Sequence, residues 1–285
     1  MKIIDNCCLT NFNSYKIESF CKKAFFPDNE NDLIMAINIS KDFILIGSGH
    51  NIILSKSYYD SDFIILNNNF NNIRVDLNTN IIIAEAGSNF FDMSMLAQEN
   101  GLTGMEFCYD IPSSVGGGVI MNAGTKEGEI KNILIKVRYF DLDKKIVKEK
   151  NIEELELDYR NSIFQNQKHK IVLKAWFQLT KGCKESIKKV MIDSKERRWQ
   201  KQPREYPNAG SVFKRPKGRF IGPMLDELNL KGETVGGAMV SKKHSGFIVN
   251  FDNASGSDIL NLIKFIQNKV KNHFDVELEV EQRII

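Results

Sequence analysis

The chain has 285 residues, 42% hydrophobic and 26% charged, an ordinary globular composition with room for two or three domains. A net charge of +3, with the basic residues spread along the chain, argues against a general polyanion binder, so no nucleic-acid partner is expected. Five cysteines without a C-x-x-C spacing and four scattered histidines argue against a disulfide framework or a zinc site; no apolar stretch reaches membrane-spanning length and MKIIDNCCLT lacks signal-peptide order, so the expectation is a cytoplasmic protein without a metal or a membrane partner.

In chain order, residues 1–30 have few periodic signals, and residues 31–40 are predicted as the first helix, with Leu33, Ile34 and Ile37 on one face. Residues 43–55, FILIGSGHNIILS, read as two buried strands flanking Gly47, Ser48, Gly49, His50 and Asn51, a tight turn rich in N–H donors. Taken alone, this turn is more often a plain hairpin than an anion loop. FIILN, IRVDLN and IIIAEAG then look like strands separated by asparagine-rich turns, with residues 67–72 a biased loop tip. Ser88 is predicted to cap a helix that carries Phe91, Met95 and Leu96 and stops at Gly101.

Residues 101–130 are the organising stretch. They hold seven of the nineteen glycines (Gly101, Gly104, Gly116, Gly117, Gly118, Gly124 and Gly128), with too many apolar residues between them for a flexible linker. Glycine lets main-chain N–H groups approach a ligand, and successive N–H groups form concave anion sites suited to a nucleotide pyrophosphate. The spacing matches neither a P-loop nor a dinucleotide fingerprint, so a different nucleotide fold is required.

Residues 133–140 and 144–150 resemble a hairpin, and residues 171–179 form another predicted strand. In LDYRNSIF between them, Arg160 follows an aromatic residue in an apolar setting; alone it reads as a structural ion pair. Residues 185–202 form a basic helix ending at Pro203, and a domain boundary falls there. NAGSVFKRPKGRFIG, residues 208–222, presents Ser211 beside Lys214 and Arg215 on a small-residue turn that suits a phosphate. A strand at 246–250 precedes a helix capped by Ser255 and Asp258, with Ile259, Leu262, Ile263, Ile266 and Val270 inward. The closing VELEVEQRII is a predicted strand with Glu277, Glu279 and Glu281 on one face.

Together, GSGHN, AEAGS, GLTGMEFCYDIPSSVGG, MNAG, YRNSIF, KQP, NAGSVFKRP, GGAMVSKKHSGFIVN and LEVEQRII occur in the order and spacing of one family. Over almost its whole length the chain resembles the UDP-N-acetylenolpyruvoylglucosamine reductases, in the shorter of that family's two variants. The resemblance implies an α+β protein: a two-subdomain FAD-binding (PCMH/VAO-like) fold over residues 1–183, divided at about 1–67 and 68–183. A connecting helix over 184–200 and an α+β substrate-binding domain over 201–285 follow. It also implies reduction of the enolpyruvyl ether of the UDP-sugar substrate to UDP-N-acetylmuramate for the cell wall, with noncovalent FAD as cofactor, NADPH as electron donor, and a monomeric enzyme.

By the same resemblance Arg160, Ser211 and Glu281 are the expected catalytic residues, Ser211 as proton donor to C2 and Glu281 acting with Arg160. Gly47, Ser48, Gly49, His50, Asn51, Ser113, Ser114, Val115, Gly116, Gly117, Asn122 and Gly124 are expected to hold the cofactor, and Lys201, Lys214 and Arg215 the substrate diphosphate. Departures from the family pattern fall at Glu18 and Ser19, where two glycines are common, at His50, usually serine, at Ser113, usually glycine, at 125–127, and at 280–282. The alternatives are an FAD-dependent dehydrogenase or oxidase of the same fold acting on another substrate, and a non-catalytic nucleotide-binding protein.

Overall fold

The structure, a computed structural model, describes residues 1–67 and 69–285. Residue 68, where the second flavin subdomain is expected to begin, lies outside the described residues. Helices and strands are mixed, as expected for an α+β protein. The chain forms two compact units, each built from separated stretches: Met1–Ile3, Phe25–Ser48 and Ile64–Arg197 in the first, Ile4–Ala24, Gly49–Phe63 and Arg198–Ile285 in the second. No helix among the described residues is long and apolar enough to cross a membrane.

In the first unit, five antiparallel strands lie in the order Ile146–Asn151, Leu134–Asp141, Lys170–Gln178, Ile81–Glu85, Ile73–Asp76. Period-two alternation sends Ile82, Ala84, Leu173, Ala175 and Phe177 into the core, all fully buried. Helix α1 (Glu30–Ile39) starts at Asn29, whose side chain accepts from Asp32 N, and buries Leu33, Ala36 and Ile37. Helix α2 (Phe90–Glu99) begins one residue later than the sequence suggests. Ser88 still belongs to the turn off the preceding strand, its N–H bonded to Glu85 O at 3.0 Å, so Asn89 caps the helix by accepting from Asp92 N at 2.7 Å. The inward face is correspondingly Phe90, Met93 and Ala97, while Phe91 is 47% exposed.

Helix α3 (Val115–Ile120) lies close against this sheet. Gly116 N donates to Ala86 O at 2.9 Å, and a Cβ on Gly118 would stand 2.0 Å from the ring of the fully buried Phe90. The short helix α4 (Ile163–Asn166) and, through Arg197, helix α5 (Lys184–Lys201) complete the unit.

In the second unit, Thr234–Val235, Ala238–Val240 and Ile248–Asn250 make an antiparallel meander. Helix α6 (Ile221–Glu227) precedes it, and helix α7 (Gly256–Phe274) packs on it through Ile259, Leu262, Ile263, Ile266 and Val270. The reciprocal cap expected for α7 is present: Asp258 N donates to Ser255 Oγ and Ser255 N to Asp258 Oδ2. Residues 43–55 do not make a hairpin. Phe43–Ile46 and Ile52–Ile53 are strands, but Ile52–Ile53 pairs in parallel with Arg283–Ile284 at the chain's far end. Of the predicted closing strand only Arg283–Ile284 is regular, because residues 278–282 bond to irregular segments instead.

Replacing Gly118 by alanine tests the packing of α3. Alanine's helix preference is worth about 1 kcal/mol, but the added methyl must displace a ring in a dense core, which costs about 1–3 kcal/mol and in this setting more than cancels it. Urea denaturation of Gly118→Ala is expected to give a lower midpoint than the parent; an equal or higher midpoint would contradict this packing.

Candidate active site

The first unit brings together Gly47, Ser48 and the 113–117 segment, which the sequence separates widely. Ser114 N donates to Ser48 Oγ at 3.1 Å, and a Cβ on Gly47 would stand 2.2 Å from Ser114 Oγ, so this approach requires glycine at 47. The segment is not the row of outward N–H groups that its glycines suggest. Val115 N donates to Ser88 O, Gly116 N to Ala86 O, Gly117 N to Ser114 Oγ and Gly118 N to Ser114 O. These donors fix the backbone of the loop, and the glycines allow its close packing.

Asn122, Gly124 and Arg160 also meet in this unit. Asn122 is fully buried at φ 42, a left-handed conformation that asparagine tolerates. Its Nδ2 donates to Glu129 Oε2 and to Asp158 O, both at 3.0 Å, and its Oδ1 accepts from Lys131 N at 2.9 Å. The side chain is thus consumed in joining the Asp158–Asn161 turn to the 122–131 segment. Arg160 sits on that turn at φ 51, strain that costs a non-glycine residue about 1–2 kcal/mol and marks a position worth a functional reading. Its guanidinium donates to Gly124 O at 3.0 Å and Asn122 O at 3.4 Å, and its carbonyl accepts from Gln165 Nε2 at 2.6 Å.

The second unit holds Gly49, His50, Asn51, Lys201, Ser211, Lys214, Arg215 and Glu281. Ser211 bridges Phe247, Phe213 bridges Val280, and Glu281 N donates to Val212 O at 2.8 Å, so Ser211 and Glu281 lie on adjoining extended segments. Asn51 Nδ2 donates to Glu281 O at 3.2 Å, which ties a predicted cofactor residue to a predicted catalytic one. Gly49 takes φ 72, and a Cβ there would stand 2.1 Å from Phe12 O. Lys214 Nζ is ion-paired with Glu279 at 2.6 Å, the Arg215 guanidinium lies 4.6 Å from the ring centre of the exposed Phe220, and Lys201 is exposed at the end of α5.

Sequence reasoning gave no role to Tyr15, Asn250 or Gln282, three buried polar residues of this unit. Tyr15 OH donates to Gln282 Oε1 at 2.9 Å, and Asn250 Nδ2 donates to Tyr15 O at 2.8 Å. The alternation that places Glu279 and Glu281 on one face puts Leu278, Val280 and Gln282 on the other, so a glutamine in an otherwise apolar series was the available signal. A cavity of about 400 Å³ in the first unit, lined by residues such as Gly104, Glu106, Glu127 and Val190, contains none of the expected site residues.

Residues 22–149 match the FAD binding domain family, which places the chain among FAD-binding proteins. Residues 202–285 match the family described as the C-terminal domain of UDP-N-acetylenolpyruvoylglucosamine reductase. The reductase of that name from Francisella tularensis is 38% identical over 97% of this chain and 98% of its own, and that from Syntrophomonas wolfei 44% identical over 85% and 79%. The crystal structure of UDP-N-acetylenolpyruvylglucosamine reductase from Thermus caldophilus superposes with a TM-score of 0.81 at 27% identity, covering 99% of this chain and 98% of that one. The chain belongs to the UDP-N-acetylenolpyruvoylglucosamine reductase family.

His244 lies on the turn that leads to Phe247, the bridge partner of Ser211. Gly246 N donates to its Nδ1 at 3.1 Å, and burial, with a smaller push from the Lys231 ammonium, outweighs a hydrogen bond to its own backbone and the Asp226 carboxylate and holds the imidazole below its ordinary pKa of 6.5. The unfolded chain therefore takes up this proton at higher pH than the folded one, so the histidine's contribution to stability is present above about pH 6.5 and is lost as pH falls below it. His244→Gln is expected to show a smaller drop in urea midpoint between about pH 7.5 and about pH 5.5 than the parent. An identical drop in both proteins would contradict the assignment.

Proposed function

We propose that this chain reduces UDP-N-acetylenolpyruvoylglucosamine to UDP-N-acetylmuramate with NADPH, using noncovalently held FAD, as a step of peptidoglycan synthesis. Family membership over nearly the whole chain sets the reaction. The single structural observation that supports it best is the Glu281 N to Val212 O bond, which sets Glu281 beside the residue that follows Ser211. In functional terms, residues 1–183 form the flavin-binding region, in subdomains of about 1–67 and 68–183, residues 184–200 the connecting helix and residues 201–285 the substrate-binding domain. The reading includes a cytoplasmic monomer without a nucleic-acid partner.

The residues present fit FAD. The 47–51 and 113–117 loops carry hydroxyls, amides and glycines with no carboxylate to repel a diphosphate, and Gly47 and Ser48 already abut Ser114. In this reading Gly47, Ser48, Gly49, His50, Asn51, Ser113, Ser114, Val115, Gly116, Gly117 and Gly124 hold the cofactor, with Asn122 shaping the segment. When bound, FAD carries hydride equivalents from NADPH to C3 of the enolpyruvyl group.

The chain's own residues manage the charge and proton that follow. Negative charge at C2 delocalises into the substrate carboxylate, and Arg160, permanently cationic and able to fork onto a carboxylate, stabilises it. Glu281 acts with Arg160 on that charge, and the Ser211 hydroxyl gives its proton to C2. A serine hydroxyl is a weak acid, so position must supply much of the effect. Lys201, Lys214 and Arg215 meet the diphosphate.

Ser211→Ala separates these roles. Reduction of the bound flavin by NADPH needs no proton from Ser211 and is expected to keep nearly its full rate. Reoxidation by the enolpyruvyl nucleotide is expected to slow by about 10²- to 10⁴-fold, the range for losing a general acid. Stopped-flow flavin absorbance reads both halves; equal slowing of both, or of neither, would reject Ser211 as the donor.

A further inference from the structure

Gln282 has exposure of only 3% and is the residue after Glu281, yet nothing in the chemistry above uses its amide. Its Nε2 points at the main chain of the turn that carries Ser211, donating to Ala209 O at 3.1 Å and Gly210 O at 3.2 Å and passing 3.4 Å from Ser211 O. Its Oε1 accepts from the hydroxyl of Tyr15, a fully buried tyrosine whose own carbonyl is held by Asn250 Nδ2 at 2.8 Å. Asn250 Oδ1 in turn accepts from Ala254 N at 2.7 Å, just before α7. A hydrogen-bonded chain thus runs from the start of α7 through Asn250, Tyr15 and Gln282 to the carbonyls of residues 209–211, all inside the second unit.

The turn needs such a hold. Gly210 takes φ 81, nothing lies within 4 Å of where its Cβ would be, and Ser211 is exposed, so these two residues are packed less than the buried Ala209 and Val212 that flank them. On its outer side Gly210 N donates to Asn208 Oδ1 at 3.2 Å. A buried amide bonded to neighbouring carbonyls gives what apolar contact cannot, a direction as well as a distance.

We infer that Gln282, oriented by Tyr15, is a positioning residue that sets the aim of the Ser211 hydroxyl. This rests on the reading of Ser211 as proton donor. Gln282 itself touches no reacting group in this account. It acts through the backbone of the turn, and a proton donor displaced by about 1 Å loses on the order of 10²-fold in rate.

The test uses the flavin-loaded enzyme and two variants, Gln282→Met and the double Tyr15→Phe/Gln282→Met. The single change strands the tyrosine hydroxyl and can destabilise the fold, whereas the double change replaces both partners by apolar groups of similar shape and is expected to fold. Hydrogen–deuterium exchange resolved to residues 208–212 is expected to rise about tenfold in the double variant relative to the parent, in line with hydrogen bonds lost from the turn. Exchange elsewhere in the second unit should be unchanged. In stopped flow, flavin reduction by NADPH should hold its rate while reoxidation by the enolpyruvyl nucleotide falls about 10²-fold, with a smaller change in KM.

Unchanged exchange at 208–212 overturns the clamp whatever Ser211 does. Faster exchange with unaltered reoxidation, in an enzyme that Ser211→Ala does slow, overturns the positioning role. If Ser211→Ala leaves reoxidation unslowed, the donor reading itself fails and with it the aim assigned to Gln282, while the exchange result still decides whether the clamp exists.

Discussion

The second unit depends on how its C-terminal segment satisfies its backbone. Glu279 O accepts from Lys214 N at 2.9 Å and Glu281 N donates to Val212 O at 2.8 Å; two residues on, Arg283 N donates to Asn51 O and Ile285 N to Ile53 O, both at 2.9 Å. One extended stretch therefore changes partners midway, from the 212–214 segment to the strand after the 47–51 loop. A buried main-chain N–H or C=O left unpaired costs about 1–3 kcal/mol, so each of these segments is committed to its place by the same few residues. Glu281 and Gln282 stand at the changeover. The carboxylate assigned to catalysis and the amide that holds the Ser211 turn are consequently set by one backbone ladder.

The first unit solves a different problem with glycine. Its loops meet at distances that no Cβ allows, Gly47 against Ser114 and Gly118 against Phe90, and the N–H groups from Ser114 to Gly118 are spent on neighbouring protein acceptors. The result is a closely packed set of loops whose backbone is held by the protein's own acceptors. Asn122 does the same for Arg160 through a side chain that makes three internal bonds.

Much of this was legible in the sequence. Periodicity found α1, α5, α7 and the strands of the five-stranded sheet, and the serine–aspartate pair marked the start of α7 because its chemistry is local. Local chemistry also explains the misses. Ser88 and Asn89 are both competent caps; Ser88 is held outside the helix by its turn bond to Glu85 O and by the long-range bond from Val115 N to Ser88 O, which no local pattern shows. Residues 43–55 looked like a hairpin because adjacent strands usually pair, whereas Ile52–Ile53 finds its partner at the other end of the chain. The roles of Tyr15 and Gln282 were invisible for the same reason: a hydrogen bond across the fold leaves no spacing to read. A glutamine on the apolar face of the last segment was the only trace.

The stoichiometry of the reaction is the property that decides whether this chain is the reductase. The flavin-loaded protein is incubated without oxygen with NADPH and UDP-N-acetylenolpyruvoylglucosamine, NADPH is followed by absorbance, and the nucleotide product by mass. One NADPH is expected to be consumed for each nucleotide converted to a product heavier by two hydrogens. NADPH consumption that is indifferent to the nucleotide, with no heavier product, would contradict it.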